Sequence, residues 1–152
     1  MSRIAARLVE LGVALPPAPE SLANYVPAAR SGNLVTTAGQ VSVYGDGVWK
    51  GKLGDDLSLD EAVAATRASA INCLAALLTV IDSLDQVTQV VAVHGLVNST
   101  PENGEQAAAM NGASDLMVDV FGEPGRHART AVGVAVPYNF ASSVYIVAEV
   151  SD

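Results

Sequence analysis

Apolar and polar positions alternate with period two over much of this chain and recur at three- and four-residue spacings over the rest. The changes of period mark its elements. Ile4–Leu11 reads as an amphipathic helix stopped at Gly12, and the turn-rich Pro16-Pro17-Ala18-Pro19 follows it. Strand patterns come next: Tyr25–Arg30 and Leu34–Ala38 flank Ser31-Gly32-Asn33, and Val41–Tyr44 and Val48–Lys50 flank Gly45-Asp46-Gly47, both hairpin signals. Ser58-Leu59-Asp60-Glu61 has the spacing of a capping box. The helix it opens shows Leu59, Val63, Ala70, Leu74, Leu77, Ile81 and Leu84 on one predicted apolar face.

Valine-rich Val90–Val97 predicts a buried strand. Pro101 then stands where a third helix would start, since its missing N–H costs little there. Ala109, Ala113, Leu116, Met117 and Val120 give that helix its stripe, and Gly122-Glu123-Pro124-Gly125 ends it. Two strands close the chain. In Thr130–Val136 the valines 132, 134 and 136 point one way and Ala131, Gly133 and Ala135 the other. A face of such small residues lets a ligand, a helix or another subunit approach the backbone. Val144–Val150 is apolar on one side and carries Tyr145, Val147 and Glu149 on the other.

Strands alternating with helices in this order predict an α+β layer, with helices packed on one face of a mixed sheet. The valines cannot all face the helices, so the second face needs cover, and a subunit interface would supply it. No linker or repeat divides the 152 residues, which predicts a single domain over 1–152 with a helical extension over 1–20.

Composition narrows the function classes. Half the residues are hydrophobic, but no apolar run is long enough to span a bilayer. Glu10 breaks the apolar character of the N-terminal helix, so it does not read as a signal peptide. The single cysteine, Cys73, permits no internal disulfide and fits a reducing, cytoplasmic setting. A net charge of −8 with no basic stripe argues against nucleic-acid binding.

Candidate chemistry is sparse. His94 and His127 lack a second histidine or a cysteine at ligand spacing, so no metal site is expected. His94 on a buried strand reads as structural or cleft-lining, and His127 as a loop residue with a weaker claim to a site. Cys73 reads as packing within a helix. No phosphate loop and no Gly-x-Ser-x-Gly elbow occurs. Arg129 is different in kind. A guanidinium beside a buried strand brings a permanent charge and a planar fork matched to a carboxylate. Composition alone favours a solvated strand-end charge at this position.

An ordered set of motifs changes that balance. Asn24-Tyr25-Val26-Pro27-Ala28-Ala29-Arg30-Ser31-Gly32-Asn33-Leu34 resembles, without a gap, the Pro-Tyr-Ser-x-Ala-x-x-x-Gly-Asn-Leu segment of the Rid (reactive intermediate deaminase, YjgF) family. Thr37-Ala38-Gly39-Gln40 resembles that family's Thr-Ser-Gly-Gln. Asn72 and Asn111 fall in its helical Asn contexts, and Ala128-Arg129-Thr130-Ala131-Val132 resembles its Ala-Arg-Ser/Thr-x-Val signature. The resemblance runs from about residue 22 to 150, and the N-terminal helix suggests a longer subgroup.

The resemblance implies a chorismate-mutase-like α+β fold and a homotrimer whose sheets form a central barrel, with ligand clefts between subunits. It implies hydrolysis of 2-imino or enamine acids to 2-keto acids and ammonia, with no metal or organic cofactor. By position, Arg129 would bind the substrate carboxylate and Tyr25 would line the cleft, with Asn111 and backbone near Gly39 and Ala131 as further contacts. The family's last-strand acid is Tyr145 here, the residue that would have to position water. A phenol hydrogen-bonds water but is a poor base near neutral pH. Glu149 shares its strand face but stands roughly 13 Å along. The residue two past the arginine is Ala131 rather than cysteine, and Ala38 replaces the serine before Gly39. A non-catalytic binder of small carboxylates, or a regulatory protein, is therefore the alternative reading.

Overall fold

The structure, a computed structural model, describes all of residues 1–152. Helix α1 (Arg3–Glu10) turns Ile4 and Leu8 into the core, and the Ser2 hydroxyl caps it by accepting from the Ala5 amide at 3.2 Å. A carboxylate from far along the chain completes the cap: Asp85 accepts from the amides of Arg3 (3.0 Å) and Ile4 (2.8 Å).

The first hairpin joins β1 (Ala28–Ser31) to β2 (Leu34–Thr37), turning at Gly32 with φ +61°. The expected strand Tyr25–Arg30 therefore begins three residues late. Pro27 has no N–H to give a ladder, and Tyr25 before it lies outside the sheet, half exposed. Two-residue strands β3 (Gln40–Val41), β4 (Val43–Tyr44) and β5 (Gly47–Val48) follow, β4 and β5 forming a small hairpin of their own.

Helix α2 (Leu59–Leu77) starts where the capping spacing predicts, with Ser58 Oγ accepting from the Glu61 amide at 3.1 Å. The reciprocal half differs: the Glu61 carboxylate accepts from the Ser58 hydroxyl, at 3.0 Å. The single apolar stripe is also corrected. The helix ends before Ile81 and Leu84, which enter the core from the connection beyond it. Most of its alanines and Thr66, Ser69 and Cys73 are buried around much of its circumference, because α2 packs against the sheet, the short strands β3 and β4, and a neighbouring helix.

Strand β6 (Val87–Asn98) is longer than expected and bulged twice. Pro101 does not open the third helix. Thr100–Asn103 forms a turn, the Asn103 side chain accepts from the Glu105 amide at 2.8 Å, and helix begins only at α3 (Gln106–Ala109). Then come α4 (Asn111–Phe121), β7 (Ala128–Val134) and β8 (Ser142–Val150).

The main sheet runs β1-β2-β8-β6-β7 with β3 added on β8, and β6–β7 is its one parallel pair. One face packs Val35, Val90, Val93, Val144, Ile146 and Ala148 under α2 and α4, all buried. Each buried valine or isoleucine among them contributes about 2 kcal/mol of transfer free energy. The other face is open, with Leu34 47%, Val91 39% and Val132 41% exposed. The valine alternation expected through Val136 stops with β7 at Val134, and Val136 itself is buried in the turn beyond. The small-residue face of β7 meets the chain's own connection: a Cβ on Gly133 would lie 2.4 Å from Ser99 Oγ and 2.7 Å from Gln106 Nε2. No helix is long and apolar enough to cross a membrane.

One buried amide ties the loops at the end of β6. Asn98 Nδ2 donates to the Gly51 carbonyl (2.6 Å) and to Asn139 Oδ1 (2.9 Å). Its Oδ1 accepts from Lys52 Nζ (2.9 Å) and the Val136 amide (3.2 Å). Asn98→Leu keeps the volume but strands these groups, and should cost about 3 kcal/mol in urea unfolding.

The Asp85 carboxyl is held below its ordinary value, chiefly by the Ile4 amide and further by the Arg3 amide and charge. A lowered carboxyl contributes stability that is present at neutral pH and lost as pH falls through that lowered value. The Ile4 amide resonance should therefore titrate with a midpoint below that of an ordinary aspartate. Asp85→Asn should weaken hydrogen-exchange protection of residues 4–10 at neutral pH.

Candidate carboxylate site

Arg129 is the second residue of β7, level with the buried Val93 of β6, and its side chain rises on the helix-covered side of the sheet. The crossover from β6 to β7 places the first turn of α4 above it. Arg129 Nη1 donates to Asn111 Oδ1 at 2.9 Å and to Ser114 Oγ at 3.2 Å. Asn111 and Ser114 are three apart and so share a helix face. The guanidinium is exposed, and its Nε and Nη2 hydrogens carry no partner within the chain, leaving one edge of the fork for a ligand.

The hydrogen bonds continue behind the arginine. Ser114 Oγ lies 2.9 Å from His127 Nε2, and His127 Nδ1 lies 2.6 Å from the Gly125 carbonyl. A carbonyl only accepts, so Nδ1 carries the proton. In the neutral ring Nε2 is then bare and accepts the Ser114 hydroxyl. Arg129, Ser114, His127 and Gly125 thus form one directed chain, which fixes the plane of the guanidinium. Arg129, Arg126 and His127 border a shallow depression of about 280 Å³, and Arg126 is already paired with Glu123 at 2.9 Å.

The remaining residues expected at the site lie elsewhere. Tyr145 is on the opposite, open face of the sheet, its ring stacked on His94 at 4.6 Å between centroids and 26° between planes. Gly39 lies against Ser143, two residues before Tyr145 on the same side of β8, where a Cβ would sit 2.8 Å from Ser143 Oγ. Tyr25 and Gly39 share a separate cavity of about 440 Å³ with Leu22, Tyr138 and Phe140. Three strand spacings separate the Gly39 edge from β7, roughly 14 Å. Ala131 is half-buried beside Gly95, its side chain against the core. Glu149 accepts from the Thr88 hydroxyl at 2.9 Å, far from Arg129 along the sheet.

Two other residues noted in the sequence have structural work. Asn72 Nδ2 donates to the carbonyls of Val41 (3.2 Å) and Val43 (2.7 Å), holding the short strands against α2. Cys73 is fully buried with its Sγ 3.2 Å from the Val144 carbonyl, and burial pushes its thiol up to about 12. No group of three or more His, Cys, Asp and Glu is arranged to hold a metal ion.

Sequence reasoning did not pick out Ser114 or Tyr138. Ser114 was detectable only as a polar residue one turn after Asn111. Tyr138 and Asn139 have left-handed backbones, with φ 57° and 59°. A tyrosine there costs about 1–2 kcal/mol. The Asn98–Asn139 bond, and the Gly51 amide donating to the Asn139 carbonyl at 2.9 Å, hold the turn in place.

The asparagine-braced arginine thus sits beneath the crossover of a helix-covered mixed sheet with one parallel pair. Residues 5–150 match the family described as "YjgF/chorismate_mutase-like, putative endoribonuclease", and the chain belongs to this YjgF (Rid) family. It is 40% identical to Protein TCP17 of Trypanosoma cruzi, over 99% of this chain and 96% of that one. A protein of unknown function from Agrobacterium tumefaciens superposes with a TM-score of 0.90 at 38% identity, covering 98% and 94% of the two chains. A protein from Shewanella oneidensis, called a "putative endoribonuclease", gives 0.92 at 32% identity, covering 98% and 100%.

The tautomer of His127 is open to direct test. Long-range ¹H–¹⁵N spectra at a pH where the ring is neutral should show Nδ1 protonated and Nε2 bare, and Ser114→Ala should shift the Nε2 resonance. An Nε2–H tautomer in the native protein would break the chain behind Arg129.

Proposed function

We propose that the protein hydrolyses 2-imino acids to 2-keto acids and ammonia, with Arg129 binding the substrate carboxylate. The observation that carries this is the Arg129 fork, braced on one nitrogen by Asn111 and Ser114 and free along its other edge. A braced guanidinium offers two parallel donors to a carboxylate without first losing side-chain freedom.

The cleft is completed by a second copy in a homotrimer. What supports this is the separation of Arg129 from Tyr25 and Gly39 across three strand spacings, together with the open apolar face of the sheet. Tyr145 shares the open side of β8 with Ser143 and Gly39, so a neighbouring copy would bring Tyr25, Gly39 and Tyr145 to Arg129 as a set. With Asn111 bracing the arginine, the backbone beside Ala131 stands next along β7 for the second carboxylate oxygen.

The reaction needs little from side chains once the acid is held. Water adds through oxygen to the electrophilic imine carbon and a proton passes to nitrogen. The C–N bond then breaks to release ammonia as the carbonyl forms. The Tyr145 phenol is suited to orienting the water by hydrogen bonding rather than to removing its proton. The net charge of −8 disfavours a polyanionic substrate such as RNA.

A second reading is favoured by Tyr145 itself: a last-strand phenol stacked on His94, with no acid beside it, suits a protein that captures small carboxylates without turning them over. The test generates imino acids in situ with an amino-acid oxidase and follows keto-acid release. The native protein should accelerate release, and Arg129→Ala should lower kcat/KM at least about a hundredfold, the scale of a lost charged hydrogen-bond pair. Native rates in Arg129→Ala would overturn the proposal. Arg129-dependent binding of keto acids without turnover would select the second reading.

A further inference from the structure

We propose that the imino acid taken at this site carries an aromatic side chain, read by a wall that the N-terminal extension and Tyr138 build beside Gly39. This rests on the deaminase reading above and names its substrate class. The cavity next to Gly39 encloses about 440 Å³, far more than the methyl group of an alanine-derived imine would fill. Its walls are aromatic and aliphatic: Tyr25, Tyr138 and Phe140, with Leu22 and, from the extension, Pro19. The Lys50 ammonium sits 4.8 Å from the centroid of the Phe140 ring, on the ring face, and steadies it. Glu20 is the one charged residue of the lining and disfavours an acidic side chain. No lysine, arginine or histidine lines the cavity to meet a second carboxylate.

The backbone at Tyr138 is the independent observation. Its φ of 57° puts a bulky residue in the left-handed region, yet the side chain is 85% exposed and gains almost no burial within the chain. Strain without packing in return points to a contact made with something outside the chain. The ring stands at the mouth of the cavity, where an aromatic substrate would stack against it.

Imines generated from phenylalanine, leucine and alanine give the test. The native protein should prefer the phenylalanine-derived imine over the alanine-derived one by about tenfold or more in kcat/KM. Tyr138→Gly keeps the backbone, since glycine adopts positive φ freely, and should narrow that ratio to within about threefold. Leu22→Ala, just beyond the extension, should narrow it in the same direction. Equal kcat/KM on the two imines, or a ratio unmoved in both variants, would overturn the inference. So would loss of the native oligomer in Tyr138→Gly by light scattering, which would assign the ring to a contact between copies. Absence of turnover on every imine would count against the deaminase reading alone. Calorimetry of phenylpyruvate against pyruvate, with the same variants, then reads the pocket by itself, and no preference for phenylpyruvate would overturn the inference there.

Discussion

Strand β6 belongs to two ladders of opposite sense, antiparallel to β8 on one side and parallel to β7 on the other, and the parallel pairing organises the rest of the molecule. Parallel neighbours cannot be joined by a tight turn, so the chain must cross over the sheet face through α3 and α4. That crossover is drawn in tightly by absent side chains. A Cβ on Gly95 would collide with the Met110 side chain, one on Gly112 with the Val63 carbonyl, and one on Gly125 with the Met117 carbonyl. Close packing at these points sets α4 down so that Asn111 and Ser114 meet Arg129 as it emerges on β7. The bracing of Arg129 is thus a by-product of how one parallel pair is closed.

The two ends of β6 serve different purposes. Beside its middle lies the braced guanidinium, and at its last residue Asn98 matches every polar group around it. Through Asn139 that amide fixes the turn bearing Tyr138, so the aromatic wall and the polar site are both hung from one strand. They nevertheless face different ways. Arg129 lies on the helix side, whereas Gly39 and Tyr145 belong with the open side, so one chain does not bring them together. The exposed Leu34, Val91 and Val132 on that open side have no cover within the chain.

Much of the fold was legible because its signals are local. Ser58 capping, the Gly32 turn and the alternation of β8 depend on neighbours a few residues away, and each stands where periodicity and turn chemistry put it. The misplacements share a cause. Pro101 can start a helix, but Asn103 offers a competing turn, and only the register of the Thr100 region on Leu53 decides between them. The stripe on α2 failed because small residues can be buried on any side, and their number says nothing about which side is covered. At the site, Arg129 and Asn111 were legible through ordered motifs. His127 was visible only as a loop histidine with a weak claim to a site, and Ser114 and Tyr138 were not legible, because an isolated serine and an exposed tyrosine carry no periodic signal.

The sequence by itself determined the order of helices and strands, that a permanent cation stands at the head of a strand, and that one sheet face lacks a partner within the chain. These follow from side-chain period, turn residues and composition, all short-range properties. Tertiary structure alone decided that Arg129 is held by α4 and not by solvent, that it and Tyr145 lie on opposite faces, and that Tyr138 is forced outward. Each of those depends on strand order and register, and shifting a strand by one residue exchanges its faces without changing a letter of its sequence.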